Sequence, residues 1–338
     1  MKTRAADRGD VRYRGTVMSE DAAGPRRREK AHRAVRRDLF GFGIDAVTMP
    51  EAVRRCTDAV QQGSYLSVGM VNAAKVVVTR RDEPLREAVA SSVLVLADGQ
   101  AVVWASRLLG QPLPERVAGI DLFLELLGEA DRRAYRVYFL GAKPEVLDRM
   151  LAEVSRRYPG LAVAGSRDGY FRPEEEPDVA AEIRKSHADL LFVGVSSPKK
   201  EFFVSQWGER TQAGVVHGVG GSFDVLAGIT KRAPHWCQGL GLEWLYRAWQ
   251  EPVRLGRRYL TTNLAFMALV ARERMQGARP LDLPAREPGR RPAVVPLDDT
   301  QPWHGLVLPA DAGRGAGLGR ADAQRPAPEP TGARGEHA

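Results

Sequence analysis

Asp98 closes the apolar run VLVLA and is followed by Gly99, so a carboxylate stands where a strand gives way to a sharp turn. A carboxylate in that place either accepts backbone N–H groups as a helix cap or takes a proton from a hydroxyl. On residue chemistry alone the cap is favoured. Asn72, at the end of the preceding apolar run, is equally two-sided, because Asn serves both in turns and in polar contacts. Arg116 sits in LPERVAGIDL after two prolines, on a loop, where its planar fork suits a phosphate but is more often simply solvated. Asp121, five residues on, is expected to cap a helix beginning near Leu122.

Three further segments have chemical potential. SSPKKEFF presents Lys199, Lys200 and Glu201 with Pro198 suited to a first helical turn, either an anion site or a solvated charged turn. HGVGGSFD fails the dinucleotide pattern, since Phe223 stands where the last glycine of GxGxxG belongs, and there is no GxxxxGKS/T. Gly220 and Gly221 still permit close backbone approach to a diphosphate, and Asp224 can accept from ribose hydroxyls. Between residues 240 and 270, Leu242, Leu245, Trp249, Leu260, Leu264 and Met267 recur at helical spacing, with Pro252 opening a second helix and Arg247, Arg254, Arg257 and Arg258 among them. Such a stretch either docks on the protein or lies on an anionic membrane interface.

The elements that must position these groups are strands alternating with amphipathic helices. Tyr65–Val71, Val93–Leu96, Tyr135–Leu140, Leu161–Ala164, Leu190–Val195 and Val215–Val219 read as buried strands. That alternation predicts an α/β fold: a Rossmann-like, largely parallel sheet with helices on both faces, plus a C-terminal helical appendage. Ligands of such sheets bind beyond the carboxyl ends of the strands. The candidate positions are therefore Asn72, Asp98, Gly141, Asp168 with Tyr170 and Phe171, 196–201 and 218–224.

Charge is unevenly spread. Of the net +8, residues 1–37 carry +7 and residues 231–275 carry +5, whereas residues 38–230 sum to −4. Residues 1–37 are expected to be a disordered basic tail, 38–235 the α/β domain, 236–275 the basic amphipathic appendage and 276–338 a disordered Pro/Gly/Arg-rich tail with Trp303–Leu308 as a candidate docking segment. Cutting the chain after Gly239 is expected to spare the sheet domain. Cys56 and Cys237 show neither a disulfide framework nor metal-ligand spacing, so no metal and no cofactor is expected. No run approaches the roughly 18 apolar residues of a spanning helix, the longest in the C-terminal half being Leu264–Val270. A cytoplasmic protein that at most lies on a membrane is expected.

The ordered set Val71–Asn72, Ala97–Gly99, Arg116 with Gly119 and Asp121, Phe139–Gly141, Gly169–Phe171, Pro198–Lys199 with Glu201, Gly218–Asp224, Arg232–Pro234, LEWLYR and EP.R..RY resembles the TagA/WecG/CpsF family of glycosyltransferases from about Phe40 to Phe266. The resemblance implies inverting, metal-independent transfer of a hexose or N-acetylhexosamine(-uronate) from a UDP-sugar to a polyprenyl-diphosphate-linked saccharide at the inner face of the plasma membrane. It makes Asp98 the base, reversing the preference for a cap. Asn72 becomes a donor contact beside Gly99, Gly141, Tyr170, Lys200, Gly220, Gly221 and Asp224, Arg116 the neutraliser of the leaving diphosphate, and Arg247, Arg254, Arg257 and Arg258 the holders of the acceptor's lipid diphosphate. Two positions depart from the family's pattern: Lys200, commonly Gln there, and Met70, commonly Thr. A homo-oligomer is compatible with the apolar helices. A non-catalytic nucleotide-sugar scaffold of a polysaccharide assembly complex is the alternative. Nucleic-acid binding ranks last because the core is acidic.

Overall fold

The computed structural model describes residues 35–234, 237, 246 and 257–276, with the backbone alone at 257–260. Six strands form one parallel sheet: β3 (Leu66–Val71), β4 (Leu94–Ala97), β5 (Arg136–Gly141), β6 (Ala162–Arg167), β7 (Leu190–Gly194) and β8 (Val215–Gly218). Their order is β4-β3-β8-β7-β5-β6, so β3 and β8 lie side by side toward one end of the sheet and β6 forms an edge. Strands covered on both faces read as apolar runs rather than as alternation, which is why β3, β4, β5, β7 and β8 stand out in the sequence. Edge strand β6 is the exception, with its residues exposed or half-buried.

One face of the sheet is packed by α1 (Met49–Gln61), α5 (Gly119–Arg133), α6 (Pro144–Arg157) and the short α9 (Ser222–Leu226). Phe123, Phe139, Phe192 and Phe223 interlock there with ring centroids 4.7–6.0 Å apart. Gly194 is obligatory above them, because a Cβ on it would fall 2.4 Å from the Phe223 ring. The other face is covered by α2 (Ala73–Val78), α3 (Glu83–Ala90), α4 (Gln100–Leu108), α7 (Glu176–Lys185) and α8 (Lys199–Trp207).

A hairpin not foreseen in the sequence precedes the sheet: β1 (Arg36–Leu39) pairs antiparallel with β2 (Phe42–Asp45). Arg36 and Arg37, counted above with the basic tail, belong to it. The reason is the buried Asp45 carboxylate, which receives Arg36 through Nε and Nη2, both at 3.2 Å, and the Val95 amide at 2.8 Å. Helix α10 (Arg257–Gln276) lies on α2, and its Phe266 is buried with Phe40 of the hairpin turn at 5.1 Å between ring centroids. Arg80, two residues past the end of α2, pairs with Glu273 of α10 at 2.6 Å. Helix α10 thus completes the core around the hairpin, and a cut after Gly239 removes the ring that covers Phe40. No described helix is long and apolar enough to cross a membrane. The tail residues 1–34, the candidate docking segment Trp303–Leu308 and the rest of 277–338 lie outside the described residues.

Candidate active site

The loops leaving β3, β4 and β8 meet beyond the carboxyl edge of the sheet. Asp98 follows β4 directly, and its own amide is bonded to the Val71 carbonyl at 2.9 Å, so the backbone ladder fixes where the carboxylate stands. Oδ1 accepts the Gly119 amide at 2.9 Å, and Oδ2 faces the Asn72 amide nitrogen at 3.4 Å. Asp98 therefore does cap a helix, but not the one that follows it. Helix α4 has Gly99 at its N-cap with no side-chain bond, while the amide that Asp98 receives opens α5. Asn72 also performs two tasks: Oδ1 caps α2 by accepting the Lys75 amide at 3.0 Å, which turns Nδ2 toward Asp98. Gly99 lets these loops approach, a Cβ on it lying 3.2 Å from that of Asn72.

Arg116 reaches the same place along the α5 approach. Val117 donates to the Ala97 carbonyl at 3.0 Å, so the residues adjoining Arg116 and Asp98 are bonded to each other. The half-buried guanidinium pairs with Asp121 at 3.6 Å, and the other Asp121 oxygen accepts from Arg232 at 2.5 Å. The expectation that Asp121 caps a helix near Leu122 is corrected: α5 begins at Gly119 with Ala118 at its N-cap, and Asp121 lies within the first turn, paired with two arginines. Arg232 received no role from its local pattern. Its partner is 111 residues away, and no short-range signal encodes that.

The first turn of α8 is neither solvated nor an open cluster of cations. Lys199 is spent on structure, donating to the carbonyls of Phe171 at 2.5 Å and Gly169 at 3.4 Å and lying 3.6 Å above the Phe171 ring. Glu201 is buried against Lys75 at 2.8 Å, a partner likewise missed from sequence. Burial alone would raise the Glu201 carboxyl, but the ammonium groups of Lys75 and Lys200 override it and hold it at about 2. Lys200 lies 3.7 Å from Glu201, and burial pushes its ammonium below the usual lysine range despite nearby Glu201 and Asp98.

The glycine loop after β8 is laid along this lysine. A Cβ on Gly218 would meet Lys200 Cδ at 3.3 Å, one on Gly220 would meet its Nζ at 3.3 Å, and Gly220 has φ +55°. Gly221 caps α9, and Asp224 in its first turn is half-buried, its carboxyl raised by burial against a smaller opposing pull from Lys143. Gly141, at the end of β5, has φ +134°, and a Cβ there would strike the Gly194 backbone at 2.4 Å, so packing accounts for that glycine. Tyr170 is 70% exposed on a loop fixed by Asp168 Oδ1, which accepts the Tyr170 amide at 2.8 Å. Met70 is buried under the site, near Gly119. Arg247 and Arg254 lie outside the described residues; Arg257 and Arg258 open α10, with backbone alone described. Among the described residues no group of three His, Cys, Asp or Glu is placed to hold a metal ion.

The chain is 41% identical over 192 residues to N-acetylglucosaminyldiphosphoundecaprenol N-acetyl-beta-D-mannosaminyltransferase of Bacillus spizizenii, covering 56% of this chain and 74% of the relative. The enzyme of the same name from Bacillus subtilis is 36% identical over 202 residues, covering 60% of this chain and 78% of the relative. The profile of the glycosyl transferase WecG/TagA/CpsF family matches residues 37–280, a span containing all but the first residue of the hairpin, the whole sheet and α10. The chain belongs to the WecG/TagA/CpsF family and is a glycosyltransferase.

Proposed function

We propose that the protein transfers a hexose or N-acetylhexosamine(-uronate), with inversion and without a metal, from a UDP-sugar to a polyprenyl-diphosphate-linked saccharide in cell-surface polysaccharide synthesis. The observation that carries this reading is the Asp98 carboxylate, oriented by the Gly119 amide and the Asn72 side chain on a loop bonded to that of Arg116. Both relatives are named for a lipid-diphosphate-linked acceptor, which supports the acceptor class.

Asp98 takes the proton of the acceptor hydroxyl as that oxygen bonds to the anomeric carbon from the face opposite the leaving group. The bond from the anomeric carbon to the phosphate oxygen breaks, and its electron pair stays on UDP. Charge builds on the diphosphate, where fixed cations lower the barrier most. Lys200 lies along the glycine loop, Arg116 adjoins the residue bonded to the Asp98 loop, and these two cations take up that charge while Gly220 and Gly221 let the backbone approach the phosphates. Asn72 contacts the donor sugar or base, Asp224 the ribose, and Tyr170 the exposed margin of the nucleotide. Arg247, Arg254, Arg257 and Arg258 hold the lipid diphosphate where the protein lies peripherally on the inner membrane face.

UDP release on adding a lipid-linked acceptor, in the presence of a chelator, measures the reaction directly. Asp98→Asn is expected to lower turnover by about 10² to 10⁴ with an unchanged unfolding transition. A folded variant with full turnover would remove Asp98 from the chemistry.

A further inference from the structure

His217 on β8 is fully buried, and the mechanism above makes no use of it. Its Nε2 lies 3.0 Å from the Gly119 carbonyl oxygen. A carbonyl only accepts, so Nε2 must carry the proton. Burial, reinforced by the Lys200 charge, holds the imidazole at about 4, so the ring is neutral near pH 7 and Nδ1 is bare. Nδ1 is buried without a hydrogen-bond partner. A polar ring that leaves one nitrogen unsatisfied is a poor way to fill a core, and an apolar side chain would avoid that cost. What distinguishes histidine here is the Nε2 bond.

That bond ends on Gly119, the residue whose amide holds Asp98 Oδ1 at 2.9 Å. Gly119 packs against both Met70 and the His217 ring, a Cβ on it lying at ordinary contact distance, 3.5 Å from Met70 Cε and 3.7 Å from His217 Cε1. Three residues upstream is Arg116, and two residues downstream is Asp121, which pairs with it. We propose that His217 is a positioning residue for the transfer: its bond to the Gly119 carbonyl fixes the first turn of α5, and through that turn both the amide that orients Asp98 and the carboxylate that aims Arg116. The inference rests on the assignment of Asp98 as the base.

Methionine and glutamine match each other in length, but only glutamine brings an N–H to the Gly119 carbonyl, so the pair isolates the hydrogen bond. His217→Met is expected to lower kcat roughly tenfold with the donor KM changed less than about twofold, and His217→Gln to stay within about twofold of the parent on both. Equal kcat in the two folded variants, or a loss expressed wholly in KM, overturns the proposal. Nitrogen NMR of the unmodified enzyme at neutral pH is the second measurement: a proton on Nε2 supports the role, and one on Nδ1 overturns it even if neither variant folds. Full turnover by Asp98→Asn would sink the base assignment, whereas an inactive Asp98→Asn beside a fully active His217→Met sinks the role of His217 alone.

Discussion

At the scale of single residues, Asp98 caps α5 with one carboxylate oxygen while the other faces Asn72, so capping is compatible with the proposed role of base. The type and strand-end position of Asp98, Asn72 and Arg116 were legible, since strand ends are where a parallel sheet displays side chains. The partners were not, because Lys75–Glu201 and Asp121–Arg232 join residues more than a hundred positions apart. His217 adds a measurable titration. Its folded value of about 4 lies below its ordinary 6.5, so between those values the unfolded chain binds more protons than the native one. Stability from this group is full above about pH 6.5 and falls as pH drops toward 4. The native protein is expected to lose about 2 kcal/mol between pH 7 and pH 5 relative to His217→Gln, read from urea midpoints at the two pH values. Parallel pH dependence in the two proteins would show that another group controls this range.

At the scale of elements, the sheet strands covered on both faces declare themselves by composition, but the hairpin does not. Its strands, RRDL and FGID, are short and charged, and the two-residue connection Phe40–Gly41 has positive φ at both positions, 56° and 81°. That geometry calls for Asn or Gly, so a phenylalanine hides the turn from inspection. The ring is held there by burial against Phe266. The helix spacing of α10 was read correctly, yet the face that packs is the one bearing Thr262, Phe266, Leu269 and Val270, not Leu264 and Met267. Phe266→Ala is expected to cost about 3 kcal/mol in unfolding free energy and to raise amide exchange in β1, β2 and α10 together. Faster exchange confined to α10 would mean that hairpin and helix are independent.

At the scale of the molecule, the uneven charge read from composition survives: an acidic sheet region, and a basic stretch that ends in α10. On α10 the outward face shows Leu264 59%, Met267 66% and Met275 80% exposed. Apolar side chains presented beside basic ones suit an anionic lipid surface. The double change Leu264→Ser with Met267→Ser is expected to weaken sedimentation with anionic vesicles several-fold while leaving the unfolding midpoint unchanged; undiminished vesicle binding would locate the contact elsewhere. Inside the crevice the electrical balance is different. Asp121 is shared by Arg116 and Arg232, so a tethered carboxylate stands against both guanidinium groups. A small stray phosphate must compete with a tethered carboxylate for either guanidinium. In the proposed reaction, a diphosphate that also engages Lys200 and the glycine loop is the anion with enough charge to displace it. The carboxylate thus keeps both arginines in place and shields them from small anions that drift by.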